Sequence, residues 1–414
     1  MEQMMTRCVI SGGGPAGLMA GFLLARAGVE VVVLEKHRDF LRDFRGDTIH
    51  PSTLRIMEAL GLLDELLALP HYPFRHMEFS FGDRPVPVVD FTPLGERTGF
   101  VAMMPQWDFL DFVAQQAAAC PGFTLRMETE SETLIEEGGR VTGLRAGGPS
   151  GPVEIRADLV LVADGRHSGL RDAAGLDLRD LGAPIDVLWF RVSRKGGENP
   201  ESLGRLKDGS IIIQLNRGDY WQMAFVVPKD GAEAVRANGL AAFRRRVGAA
   251  TGIEAARLEE IDDWTKVKLL SVQVNRLTRW WREGLLCIGD AAHAMSPVGG
   301  VGINLAVQDA VAAANILAAP LRNGTLSVDD LRQVQHRREW PTRVTQRVQV
   351  LLQDRVIRPA LDAPDAPPPL PLRLLARVPY LRRFPARFIG LGLRPELPRA
   401  GAVSQAAEQA RTGR

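Results

Sequence analysis

Residues 7–35 read RCVISGGGPAGLMAGFLLARAGVEVVVLE, and the order of their parts leaves few architectures open. Residues 7–11 form a short β run. Residues 15–27 have helix composition with Pro15 in the first turn, where its missing N–H is not needed. Gly28 ends the helix, and residues 30–34 are a continuous apolar run suited to a parallel strand buried on both faces. Together they make a βαβ unit with Gly12-x-Gly14-x-x-Gly17 at its first turn. Gly12 permits the turn, Gly14 lets backbone approach a pyrophosphate, and Gly17 allows close helix-to-strand packing. Gly12, Gly14, Pro15, Ala16 and Gly17 thus lie at a helix N-terminus, where N–H groups and partial positive charge hold phosphate. Glu35, with Lys36 beside it, ends the second strand 18 positions after Gly17. A carboxylate there accepts ribose hydroxyls and repels a 2′-phosphate. The unit predicts an α/β protein binding a dinucleotide, NAD or FAD. A glycine-rich turn without a ligand is the structural alternative.

The 414-residue chain has room for two or three domains. Its 45% hydrophobic and 24% charged residues exclude a disordered, collagen-like or repeat chain. Lys and Arg number 51 against 49 Asp and Glu, a formal charge of +2 with no basic excess, so no nucleic-acid partner is expected. Cys8, Cys120 and Cys287 are too few and scattered for a disulfide framework or zinc cluster, which fits a reducing cytoplasm. None of the seven histidines has metal spacing, and no metal is expected. Residues 8–25 carry no charge and approach the length of a membrane span. Gly12 to Pro15 in their middle would break a spanning helix, so the segment reads as buried soluble structure.

Two later segments separate FAD from NAD. Residues 158–164 (DLVLVAD) read as a buried strand followed by Gly165, Ser168 and Arg171. Residues 284–293 (GLLCIGDAAH) read as another, ending in Gly289-Asp290 and continuing to Pro297, Gly299, Gly300, Gly302, Ile303 and Asn304. A GxGxxG turn, then a DG segment, then a GD segment resembles the class A flavoprotein monooxygenases, the p-hydroxybenzoate hydroxylase-like family, over about residues 7–320. The resemblance implies that Asp290 bonds the ribityl chain of FAD, that Pro297 lies beside the isoalloxazine, and that glycines 299, 300 and 302 press backbone against the flat ring. A helix over residues 304–318 would aim its positive end at the flavin pyrimidine. Asp164 and Arg171 would sit near the pyrophosphate and the nicotinamide donor, with a local Asp–Arg pair as the alternative. Arg45, and Gln106 opening a helix over 107–119, occupy positions the family places against FAD.

The resemblance further implies the fold. A Rossmann-like FAD-binding domain with a parallel sheet (1–76, 102–180, 276–330) is interleaved with a mixed or antiparallel β-sheet substrate domain (77–101, 181–275). A C-terminal helical extension and tail (331–414) follow. Within the substrate block, Ile185–Ser193, residues 210–215, residues 220–227 and residues 267–274 read as strands, with a hairpin turn at 216–219. Alternation nominates Trp189, Arg191, Gln214, Tyr220 and Gln222 as substrate-facing, although a slip of one residue would turn the other set inward. His50 and Met103 are further candidates. With only Tyr72, Tyr220 and Tyr380 in the chain, no tyrosine relay for deprotonating a phenol is readable.

The activity implied is hydroxylation of an aromatic, polyketide-like or otherwise lipophilic small molecule. NADH or NADPH reduces the flavin, O2 adds at C4a, and the hydroperoxide passes on one oxygen. No second GxGxxG is present, so the reductant would visit transiently. The halogenase motif WxWxIP is absent. A flavin-dependent C–C reductase and a non-catalytic flavin sensor remain the other readings. Beyond a proline-rich stretch, residues 373–414 hold nine Arg and two Glu among Leu, Phe and Ile. That tail suits weak peripheral contact with an anionic membrane, or a helical cap over the FAD domain with a frayed end.

Overall fold

A computed structural model describes residues 1–41, 48–82, 84–198, 202–207, 209–359 and 368–399. The opening stretch forms the strand Glu2–Ser11, the helix Pro15–Arg26 and the strand Val31–Leu34. The first strand is five residues longer at its start than the sequence reading, because residues 2–6 pair in register with Val153 to Ala157. The Pro15–Arg26 helix is buried from Ala16 to Ala25, as a helix that is apolar on all sides must be.

These elements build a sheet with the strand order Trp281–Arg282, Leu285–Cys287, Gly151–Val162, Glu2–Ser11, Val31–Leu34, Phe123–Arg126. The last five run parallel. An antiparallel pair, Glu130–Glu137 and Arg140–Gly148, extends from Gly151–Val162.

A second sheet takes its strands from two separate parts of the chain. Its order is Lys268–Leu270, Ile185–Ser193, Tyr220–Pro228, Ser210–Asn216, Ser202–Lys207, His76–Phe81, Arg84–Asp90. Every pair is antiparallel except Ser202–Lys207 with His76–Phe81. On its outer face Phe243 of the Leu240–Thr251 helix packs edge-on against Phe190 and Phe225. On its inner face Ile185, Ile211 and Val226 pack against Val298 of the loop after Asp290.

The helix expected over 304–318 runs from Gly302 to Asn323. The Val328–Leu352 helix then starts at a Ser327–Asp330 capping box. The C-terminal helices Leu370–Arg377 and Arg383–Gly390 reach both parts: Ile389 packs against Met295, Val301 and Leu305 beside the Gly302 helix, and most of their apolar side lies on the second sheet. Leu372, Leu375, Ala376 and Ile389 pack with Val86, Val88, Trp189 and Met103, closing the inner side of the second sheet. The tail beyond Arg399 lies outside the described residues.

Candidate functional site

Four neighbouring strands of the parallel sheet end side by side, and each end carries one of the motifs. In sheet order, Leu285–Cys287 leads to Gly289 and Asp290, Gly151–Val162 to Asp164, Glu2–Ser11 to Gly12, and Val31–Leu34 to Glu35. Backbone bonds lock the ends together: Gly12 N–H to Leu34 O, Ala163 N–H to Ser11 O, and Ile288 N–H to Val162 O. Three strand spacings of about 4.8 Å place Asp290 and Glu35 roughly 14 Å apart along this edge.

Backbone geometry explains the glycines between them. Gly12 has φ +104°, and a Cβ there would lie 2.5 Å from Ala163 O. At Gly17 a Cβ would meet Gly12 O at 1.9 Å. Gly14 differs, because a Cβ there would meet nothing within 4 Å. It caps the Pro15–Arg26 helix with no side-chain bond to the first N–H groups, so this end, with Ala16, is an open cradle for an anion. Glu35 is oriented by Gly13 N–H at 3.2 Å and His37 N–H at 3.0 Å. Lys36 points to Glu130 at 3.4 Å on the surface.

Asp164 stands exposed at its strand end, yet the protein crowding its carboxyl displaces water and pushes it up to about 6, against the pull of a Ser168 hydrogen bond and the charges of Arg171 and Lys36. Arg171 is buried. Its Nε donates to Asp172 (2.8 Å) and its guanidinium to Arg166 O (3.1 Å), while Ser168 caps its helix. Arg171 therefore steadies the turn after Asp164. Asp290 lies in the short turn Gly289–Ala291 and faces Arg166 at 3.3 Å, with both side chains part-exposed.

The loop carrying Pro297, Gly300 and Gly302 is held from behind. Asn304 accepts His50 N–H (3.1 Å) and the Thr53 hydroxyl (2.8 Å), and Thr48 donates to Gly300 O (3.1 Å). Asn304 is thus spent on the protein, while Ile303 packs against the core. Burial lowers His50 to about 4, against the hydrogen bond to Ile389 O. A carbonyl only accepts, so Nδ1 carries the proton of a neutral ring, 2.9 Å from that oxygen. Gln106 opens the Gln106–Ala118 helix, half-buried. Arg45 lies outside the described residues.

On the second sheet, cross-strand partners share a face. Trp189 pairs with Ala224, Arg191 with Gln222, and Ser193 with Tyr220. This is the inner face, where Trp189 meets Met103. Gln214 does not share it. It pairs with Met223 on the outer, Phe243-bearing face and accepts Arg205 Nε at 3.0 Å. The alternation that grouped Gln214 with the other four is off by one residue on that strand, and its inner positions are Ile211, Ile213 and Leu215. Gln222 is buried with its amide oriented by Arg217 Nε (3.0 Å), and Arg191 is exposed.

Two groups of residues went unnoticed in the sequence. Asp309, His293 and Arg338 are fully buried. Asp309 accepts Gly289 N–H (3.1 Å), pairs with His293 Nε2 (2.6 Å) and accepts Arg338 Nε (2.9 Å). Burial raises its carboxyl, but His293 and Arg338 outweigh that and hold it below the usual range. The network fixes Gly289, and so the position of Asp290. A lone carboxylate in a helix whose other charge is Arg322 in the last turn was the available signal. Likewise Gln346 and Gln349 on the long helix, with Gln353 in the turn just past its end, bond the carbonyls of Ala294, Ser296 and Val298 and the Ser296 hydroxyl at 2.7–3.1 Å.

A family model described as an FAD binding domain matches residues 5–348. The chain is 33% identical over 379 residues to 6-methylpretetramide 4-monooxygenase of Streptomyces rimosus, covering 91% of this chain and 90% of that one. It is 24% identical over 327 residues to para-nitrophenol 4-monooxygenase of a Pseudomonas species, covering 76% and 78%. Among solved structures, a probable FAD-dependent monooxygenase from Pseudomonas aeruginosa superposes with a TM-score of 0.74 at 23% identity, covering 87% of this chain and 99% of that one. That likeness is one of fold. The chain therefore belongs to the FAD-binding-domain family of FAD-dependent monooxygenases, and is a flavoprotein oxidoreductase.

Proposed function

We propose that this chain uses NADH or NADPH and O2 to hydroxylate a flat, lipophilic aromatic or polyketide-like molecule, with FAD laid along the four strand ends. The single observation carrying this reading is the alignment of Asp290, Asp164, the open Gly14 cradle and Glu35 on consecutive strands. It matches what an extended dinucleotide needs: a carboxylate for a sugar at each end and anion-binding backbone between. Glu35 would take the adenosine ribose, the helix N-terminus at Pro15 the pyrophosphate, and Asp290 the ribityl chain. The Pro297–Gly302 loop would support the ring. Bound FAD supplies the oxygen-transfer chemistry.

The chain's own residues bind and orient the substrate and exclude water. The inner sheet face opposite Val298 is walled by Trp189, Ile213, Leu215 and Met103, which suits a flat apolar ring. The buried Trp189 indole N–H has no acceptor among the described residues, and a substrate oxygen there would satisfy it. Residues 1–76, 102–180 and 276–330 form the FAD-binding part in this reading, and 77–101 with 181–275 the substrate part. The relatives named for 6-methylpretetramide and para-nitrophenol support a ring-bearing substrate.

A panel of phenols and polyketide-like aromatics tests it, following NADH and NADPH oxidation, oxygen uptake and product mass. A product heavier by one oxygen atom, with reductant and O2 consumed together, is expected. Reductant consumed without oxygen, with a product gaining two hydrogens, would move the assignment to a C–C reductase.

A further inference from the structure

We propose that the outward face of the C-terminal helical hairpin, residues 370–387, is a peripheral docking surface for an anionic lipid membrane. The face is written twice in the sequence. Leu370, Arg373, Leu374 and Arg377 stand at i, i+3, i+4 and i+7, one side of the Leu370–Arg377 helix. Ten positions on, Tyr380, Arg383, Phe384 and Arg387 repeat the same spacing across the Pro379–Arg382 turn and the Arg383–Gly390 helix. All eight side chains are exposed. Leu370 is 74% exposed, Leu374 50%, Tyr380 59% and Phe384 57%.

The other side of the hairpin is already occupied. Leu372, Leu375, Ala376, Ala386 and Ile389 pack on the second sheet. The exposed leucines and aromatics are therefore in addition to the buried set, not its frayed edge. Arg382 donates to the carbonyls of Leu375 and Ala376, at 3.0 and 2.9 Å, and so ties the first helix to the turn. The Arg383 guanidinium lies 3.3 Å from the centroid of the Tyr380 ring and 5.2 Å from that of Phe384, which steadies both rings at the surface.

Charge selects the occupant. Residues 366–395 contain six arginines and no aspartate or glutamate. An ordinary solvated helix would carry opposite charges at i, i+4, whereas the arginines from 373 to 387 have no acidic residue within four positions in sequence. Apolar side chains alternating with long cationic ones on an exposed helix face suit lipid. Leucine and phenylalanine enter the acyl boundary while arginine stems snorkel to mobile anionic head groups. A protein partner would need a fixed acidic complement and a groove.

Co-sedimentation of the full-length, FAD-loaded protein tests the assignment, using phosphatidylcholine vesicles and equal mixtures of phosphatidylcholine and phosphatidylglycerol, at low and high salt. Binding is expected only to the anionic vesicles, and weaker in high salt. Arg373→Ala and Arg387→Ala should each weaken it about fivefold, the fold-change corresponding to ~1 kcal/mol per basic residue at an anionic surface. The pair Leu374→Ser with Phe384→Ser should abolish it, with flavin absorbance and melting temperature unchanged because both positions are exposed. Three outcomes would overturn the proposal: wild-type protein left in the supernatant with anionic vesicles, equal binding to neutral vesicles, or binding that survives the double substitution. A self-association removed by that same pair, without vesicle binding, would assign the face to a second copy of the chain and overturn it as well.

Discussion

Asp309 and Arg338 form a buried ion pair whose removal reaches the cofactor cleft. Asp309 accepts three hydrogen bonds, and Arg338 is left otherwise with Arg394 O at 3.0 Å and Glu396 at 3.4 Å. Removing one partner of a buried pair costs ~3–5 kcal/mol where the charge left behind has no other partner. Here Arg338 keeps Glu396 and Asp309 keeps His293, and asparagine keeps an oxygen for Gly289 N–H, so Asp309→Asn and Arg338→Met both belong at the lower end, about 3 kcal/mol. The double variant leaves no unpaired charge and should be more stable than the sum of the singles by about 2 kcal/mol. Urea unfolding followed by tryptophan fluorescence reads this cycle, since the Trp280 ring lies 5.0 Å from that of His293. The FAD affinity of Asp309→Asn should also fall by about tenfold, ~1.4 kcal/mol, as Gly289 loses its charged anchor. Additive single effects, or an Asp309→Asn variant within ~0.5 kcal/mol of wild type, would refute the reasoning.

Two glycines of the first turn should separate folding from binding. Gly12→Ala places a Cβ 2.5 Å from Ala163 O at φ +104°, and should destabilise the protein by about 3 kcal/mol, read as a lower urea midpoint. Gly14→Ala, at φ −76° with nothing nearby, should leave the midpoint unchanged and weaken FAD binding in a titration. His50, held near 4 against an ordinary 6.5, is neutral in the fold and takes up a proton on unfolding below pH 6.5. Its contribution is therefore present above pH 6.5 and lost as pH falls towards 4, by about 3 kcal/mol in all. His50→Gln should flatten stability across that window, measured by urea midpoints at stepped pH.

The glycine turn and Glu35 were legible in the sequence because their demands are local: a positive φ, a close pass, and a strand end at fixed spacing. The GD and DG segments were legible for the same reason, each being an apolar strand with one carboxylate at its end. The face of Gln214 was not. A period of two has no memory of which side is inward, and only the Phe243 helix decides it. Asp309, His293 and Arg338 were hidden because their partners lie 16 and 29 positions apart, and meet only when two helices cross behind the Gly289 turn. The C-terminal helices carried an amphipathic signal, but nothing local indicated that their buried side would close the second sheet.

Titration of flavin-free protein with FAD, followed by flavin fluorescence and absorbance, bears most directly on the alignment of the four strand ends. Saturation at one FAD per chain is expected, with affinity lowered more than tenfold, ~1.4 kcal/mol, by Glu35→Ala and by Asp290→Ala individually. Failure to take up FAD, or uptake that neither substitution changes, would contradict the account.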